Sequence, residues 1–191
     1  MKNNWRFDSF VYALTDLVAN QDITNAEQRE AFILKQGQRL LSDLILHDDW
    51  LPTEFAKSSE SRYQQYLLYC DPLERFSVVS FVWAAGQQTP IHDHSVWGII
   101  GVLRGLEICQ EYSRDDQTGQ LIETKRHSLK AGEIDLVSPR LGDIHRVSNG
   151  LDDANSISIH VYGANIGQVS RHTYSLSNSA ITTFVSGYDN A

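Results

Sequence analysis

From Phe76 onward the sequence is a series of short β-branched and aromatic runs, each cut off by glycine, proline or a polar turn. Phe76–Trp83 is the first, Val96–Leu103 another, and Ser156–Tyr162 the clearest. Between them lie Glu107–Tyr112, the weakly alternating Thr124–Leu129, Ile134–Val137 and a run reopening at His145-Arg146-Val147. Thr173–Leu176 and Thr182–Val185 are two further candidates. Strands this short, at this spacing, bury their apolar sides by closing on one another. The pattern predicts a mainly β fold, an antiparallel sandwich or barrel.

The first quarter reads differently. Phe10, Val11, Leu14, Leu17 and Val18 recur at helical spacing, and Asn20-Gln21-Asp22 ends that segment. Thr24-Asn25-Ala26-Glu27 has the form of a capping box with Thr24 as the cap. A second helix is predicted to about His47, with Phe32, Ile33, Leu40, Leu41, Leu44 and Leu46 on its apolar face, and Asp48-Asp49 and Leu51-Pro52 stop it. That face serves to pack on the sheet, with a partner-binding surface as the other reading. The expected organisation is a helical segment over residues 1–55 packed on a barrel over 56–191, one domain overall.

Composition excludes some functions. The formal net charge of −8 argues against nucleic acid or an anionic membrane as partner. No apolar run approaches the roughly 18 residues that span a bilayer. Met1 to Arg6 lead into no apolar leader, so a cytoplasmic protein is expected. The two cysteines, Cys70 and Cys109, form no metal-binding spacing, and a disulfide between them is not expected. Cys109 reads as a small buried hydrophobe.

Pro90-Ile91-His92-Asp93-His94 carries the first chemical signal. On a strand, residues i and i+2 share a face, so His92 and His94 point the same way, and paired neutral imidazoles suit a divalent transition metal. A barrel can bring a third ligand from a distant strand. His145, opening a strand after the Pro139–Gly142 loop, is the candidate. Of the other histidines, His47 sits at a helix end, His127 beside Arg126 is expected to be exposed, and His172 is ambiguous.

Ser156–Tyr162 carries the second signal. It alternates strictly, so Ser158, His160 and Tyr162 share one face and Ile157, Ile159 and Val161 the other. If the isoleucines face the helices, the polar set lies inside the barrel and needs internal partners, which a Ser–His–Tyr relay supplies. If they face the core between the sheets, the polar set is a solvated face. The alternation leaves both open. Trp83 and Trp97 read as core packing, with a pocket wall as the other option.

Gly86, five residues, His92-x-His94, then Gly105 resembles the first cupin motif, and Gly132, Pro139, Gly142, His145 and Asn149 resemble the second with one extra residue on each side of Pro139. The glutamate usual in the first motif is absent, its positions being Gly98 and Ile99. With the relay added, residues 63–171 resemble the cysteine dioxygenase family of cupin thiol dioxygenases. That resemblance implies a cupin jelly roll with N-terminal helices packed on it. It also implies Fe(II) held by His92, His94 and His145, with Ser158, His160 and Tyr162 as the catalytic relay. Three imidazoles leave more positive charge on the metal than two and a carboxylate, which favours an anionic ligand such as a thiolate.

The departures choose a branch. Gln65 stands where the animal enzymes carry a substrate-binding arginine, and Gly98 where they carry a cysteine cross-linked to the tyrosine. Both features are similar to the bacterial 3-mercaptopropionate dioxygenases, and no cross-link to Tyr162 is expected. Gln65, Arg171 and Tyr162 are then the expected substrate contacts, although by themselves Gln65 and Arg171 read as solvated residues. The implied partners are a small thiol carboxylate and O2, 3-mercaptopropionate ahead of cysteine, with both oxygen atoms ending on sulfur as a sulfinate. A monomer or small homo-oligomer is expected. The competing reading is a non-redox cupin, either a metal-dependent isomerase or a binding module.

Overall fold

The computed structural model of the protein describes residues 4–20 and 22–190. Met1 to Asn3, Gln21 and Ala191, on which part of the leader reading and the middle of the inter-helix break rest, lie outside the described residues. Two helices come first, α1 (Trp5–Ala19) and α2 (Ala26–Ile45). Eleven strands follow among the described residues: β1 (Gln64–Cys70), β2 (Ser77–Trp83), β3 (Ile91–His92), β4 (Gly98–Arg104), β5 (Leu106–Arg114), β6 (Leu121–Lys130), β7 (Ile134–Val137), β8 (Ile144–Asn149), β9 (Ser156–Tyr162), β10 (Arg171–Tyr174) and β11 (Ile181–Phe184). They form two antiparallel sheets in a jelly-roll-like sandwich, β1-β2-β9-β4-β7 and β11-β10-β3-β8-β5-β6. The fold is therefore mainly β with two N-terminal helices, as the strand spacing predicts.

Helix α2 starts one residue later than the capping-box reading. Asn25, in extended backbone, is the N-cap, and its side-chain oxygen accepts from the Gln28 amide at 3.0 Å. Thr24 and Asn25 can both cap, and the register follows the buried stripe Ile33, Leu34, Leu41, Leu44 and Ile45. Strand β1 carried no alternation to announce it, because both of its faces are half-buried along most of its length.

The helices cover the outer face of the first sheet. Phe10, Leu14, Val18, Leu41 and Leu44 pack with Val78, Val82, Ile99, Ile157, Ile159 and Val161 in one apolar cluster. The approach is close: a Cβ at Gly37 on α2 would stand 2.6 Å from the Ile99 Cδ1 on β4. This layer decides the orientation of β9. Its isoleucines and Val161 belong to the helix side, so Ser158, His160 and Tyr162 point between the sheets. A second cluster of Val79, Phe81, Trp83, Cys109, Val147, Tyr162 and Ile166 fills that interior. The interior alternative for Ile157, Ile159 and Val161 is thus excluded.

Candidate metal centre

His92 ends β3, and its register partner across the ladder is His145 on β8. His94 lies two residues beyond His92, before a turn at Ser95, whose φ of 60° swings the chain away. A non-glycine residue there is strained, and its amide is held by the Asp143 Oδ2 at 2.8 Å. The three rings form a nearly equilateral triangle, with centroids 4.8, 4.9 and 4.8 Å apart. Their ligand atoms all lie within 4.8 Å of one another, and all three side chains are buried.

Each ring has its Nδ1 engaged. His92 Nδ1 lies 3.1 Å from the Pro90 carbonyl, His94 Nδ1 2.8 Å from the Asp143 Oδ1, and His145 Nδ1 3.6 Å from the Cys109 Sγ. The oxygen acceptors on His92 and His94 place the proton on Nδ1 and leave their Nε2 atoms with a free lone pair. The His94 Nε2 is buried with no partner at all. Burial pushes His92 down to about 4, and burial and then the neighbouring imidazoles hold His94 and His145 well below the usual imidazole range. Three neutral imidazoles around an orphaned buried lone pair fit a divalent metal ion.

Among the described residues no carboxylate joins this cluster. Asp143 serves from behind: it accepts from His94 Nδ1 and from the His94 and Ser95 amides. Burial pushes its carboxyl up to about 6, against the pull of those two amides. Asp93, between the two histidines, turns outward to the His172 amide and ring and to the Tyr174 hydroxyl. That settles His172 as a clamp between β10 and β3. His127 is not exposed as expected. It is partly buried, 3.0 Å from Asp135, because β6 pairs with β5 and turns it toward that carboxylate. Cys109 is buried, as expected, but also touches the His145 ring.

The polar face of β9 forms a continuous relay. The Tyr162 hydroxyl lies 2.8 Å from His160 Nδ1, and His160 Nε2 lies 2.8 Å from the Ser158 Oγ. Burial pushes His160 down to about 3, so its ring is neutral and needs a donor on one side and an acceptor on the other. Tyr162 stacks on His94 with ring centroids 5.2 Å apart. Phe81 covers the His160 ring at 4.1 Å. Trp83 is core, its Nε1 lying 3.4 Å from Ser158 Oγ, and Trp97 packs on Gly163.

A cavity of about 290 Å³ opens beside the histidines, lined by His92, Tyr162, Gln65, Arg171, Tyr63 and Phe184 among others. Gln65 and Arg171 are not solvated. They are 8% and 4% exposed, because β1 and β10 flank the cavity mouth. Arg171 donates from Nη2 to the Ser186 hydroxyl at 2.7 Å, lies over the Phe184 ring at 4.7 Å, and has a buried Nε with no partner. Burial lowers its pKa, but an arginine so placed stays charged. A larger cavity of about 600 Å³ lies by Trp5, Asp48, Trp50 and Arg104, lined by no histidine. The donor set, not size, marks the site. Sequence reasoning had missed Asp143 and Tyr63, for neither has a motif spacing of its own.

No family model matches the chain. Solved structures similar to it include a protein with a double-stranded β-helix domain from Klebsiella pneumoniae, 17% identical, covering 72% of this chain and 97% of that one with a TM-score of 0.45. A cupin superfamily protein from Desulfitobacterium hafniense is 13% identical, covering 62% and 94%, with a TM-score of 0.45. An oxalate oxidase in complex with the substrate analogue glycolate is 16% identical, covering 71% and 64%, with a TM-score of 0.46. At such values the chemistry of the centre rests on this chain's own residues.

Proposed function

We propose that the protein is a non-haem Fe(II) thiol dioxygenase acting on a small thiol carboxylate, with 3-mercaptopropionate preferred over cysteine. The observation that carries this reading is the convergence of His92, Tyr162, Gln65 and Arg171 on one cavity beside three neutral imidazoles. His92, His94 and His145 would hold the iron. When bound, Fe(II) supplies the redox chemistry that adds both atoms of O2 to sulfur and leaves a sulfinate.

The chain's residues bind, orient and exclude water. Arg171, the one cationic side chain buried at the cavity, pairs with the substrate carboxylate through a charge-assisted bond. Gln65 adds an uncharged amide to the same end. Tyr162 presents its hydroxyl between the carboxylate end and the histidines, and His160 and Ser158 hold it there. Phe81 and Phe184 wall the cavity against water, which strengthens every polar contact inside it. Arg62 also lines the cavity but is exposed and paired with Asp189, and no aspartate or glutamate is among the lining residues described, so nothing there answers the ammonium group that cysteine would bring.

Oxygen uptake by the iron-loaded protein with 3-mercaptopropionate, cysteine and cysteamine tests this, with the sulfinate identified by mass. The highest kcat/KM is expected for 3-mercaptopropionate. Iron retained with no thiol-dependent uptake would return the protein to the non-redox cupins.

A further inference from the structure

Cys109, Glu111, His127 and Asp135 form a second group of metal-ligating side chains, outside the histidine triangle. Each offers one ligand atom, and those atoms all lie within 4.8 Å of one another. No spacing in the sequence announces them; strand register assembles them. Cys109 and Glu111 stand two residues apart on β5 and share a face of it. His127 on β6 is the cross-strand partner of Cys109. Asp135 reaches them from β7, in the other sheet. The Cys109 thiol is buried, and the other three side chains are partly buried.

The His127 ring has a carboxylate on each side. Its Nε2 lies 3.0 Å from Asp135 Oδ2, while Asp135 Oδ1 accepts from the Leu136 amide. The Asp135 contact puts the ring proton on Nε2 and leaves a lone pair on Nδ1. That Nδ1 is buried, and among the described residues it has no hydrogen-bond partner. It lies 3.5 Å from Glu111 Oε1. A nitrogen lone pair, a carboxylate oxygen and a thiol sulfur drawn together are a donor set for a cation of the zinc kind. Tetrahedral zinc ligands stand roughly 3.3–3.8 Å apart, and the Nδ1–Oε1 separation already matches.

We propose that this cluster binds a second divalent transition metal, of the zinc type. Cys109 Sγ, Glu111 and His127 Nδ1 are its ligands, and water completes the tetrahedron. Asp135 holds the Nε2–H of His127, as a carboxylate does behind a metal-bound imidazole. The metal takes the place of the Cys109 thiol proton, which leaves to solvent as the metal–sulfur bond forms. The thiolate and the Glu111 carboxylate then cancel the charge of the ion. Lys125 is the present counter-ion of Glu111, 3.0 Å from Oε1, and its exposed ammonium is free to turn to water. A cavity of about 330 Å³ opens on Glu111, Lys125 and Asp135 and gives the ion a way in. The Cys109 sulfur also lies 3.6 Å from His145 Nδ1, so the second ion sits one side chain behind a ligand of the first centre. This ion is independent of the reaction run at that centre.

The test is a cobalt(II) titration of the full chain, followed by absorption. Imidazoles alone give cobalt only weak ligand-field bands, whereas a thiolate ligand adds an intense near-ultraviolet charge-transfer band. The band therefore reports the second site and not the three histidines. Wild type is expected to bind a second equivalent of cobalt that carries the band. His94→Ala, which disables the first centre, should keep the band, as should Cys70→Ser, and Cys109→Ser should lose it. Asp135→Asn should weaken the second equivalent roughly 10–100-fold. Lys125→Ala should tighten it several-fold by removing a competing cation. Uptake that stops at the first equivalent with no band in wild type, which needs no variant to fold, overturns the inference. So does a band that survives Cys109→Ser, that disappears in Cys70→Ser, or that His127→Ala leaves unchanged. If the iron-loaded enzyme oxidises the thiol acid and the band never appears, the inference fails alone. If the band appears and no thiol acid is oxidised, the functional reading fails alone.

Discussion

Gly98 stands directly across from Tyr162 in the β4–β9 ladder, and a Cβ placed on it would lie 3.0 Å from the tyrosine ring and 2.8 Å from the Val137 Cγ2. The tyrosine in turn is held between His94 and His160. Any side chain at position 98 therefore pushes on the relay and on the metal centre together.

Gly98→Ala should lower stability by about 1–3 kcal/mol through overpacking. It should also lower turnover by displacing Tyr162. Urea unfolding and steady-state kinetics check both, and an alanine variant as stable as the wild type would mean that the ladder gives more easily than its spacing indicates. Intact mass should show Tyr162 unmodified, since glycine has no sulfur to join to it.

Asp143→Asn should weaken metal binding by roughly 10–100-fold, the usual cost of losing the group behind a histidine ligand. The amide can still take a hydrogen bond from a backbone N–H. It can also offer a donor to His94 Nδ1, which would move that proton to Nε2, the atom the metal needs. Competition with a chelating dye measures the affinity. Unchanged affinity would remove Asp143 from the account.

Arg171→Gln should raise the KM for 3-mercaptopropionate by roughly 10–100-fold, the worth of a charge-assisted bond of about 1.5–3 kcal/mol. Cysteamine, which has no carboxylate, should show little further loss. Equal losses on both thiols would point to disrupted packing on Phe184 and Ser186 instead.

Without metal, stability should fall as pH drops below about 6.5. His92 is pushed down to about 4 and His160 to about 3, and His94 and His145 lie well below the usual range, so the unfolded chain takes up protons that the folded chain refuses. Two carboxyls oppose this. Glu107, pushed up to about 7, and Asp143, up to about 6, hold protons in the fold that the unfolded chain releases above its ordinary carboxyl range, so each favours the fold as pH falls toward that range. Four imidazoles outweigh two carboxyls, and the urea midpoint should be lower near pH 5 than near pH 7. Metal binding should steepen the fall. Glu107→Gln should remove one opposing contribution and gain stability above pH 7.

The candidate site was legible wherever a periodicity carried it. His92 and His94 share a strand face by their spacing, and a motif spacing singled out His145, which β8 then places in register with His92. Ser158, His160 and Tyr162 announced themselves by strict alternation. Asp143 did not, because it acts on His94 and Ser95 from another part of the chain and belongs to no repeat.

Alternation along a strand determines which residues share a face, and the sequence alone was enough for that much of this protein. Which face turns inward was decided only in three dimensions, where the helices cover Ile157, Ile159 and Val161 and leave the polar set to the interior. The same holds for Gln65 and Arg171, which read as surface residues until β1 and β10 close on one cavity. Local pattern sets parity along a strand, whereas burial depends on what packs against the sheet, and that is a property of the whole chain.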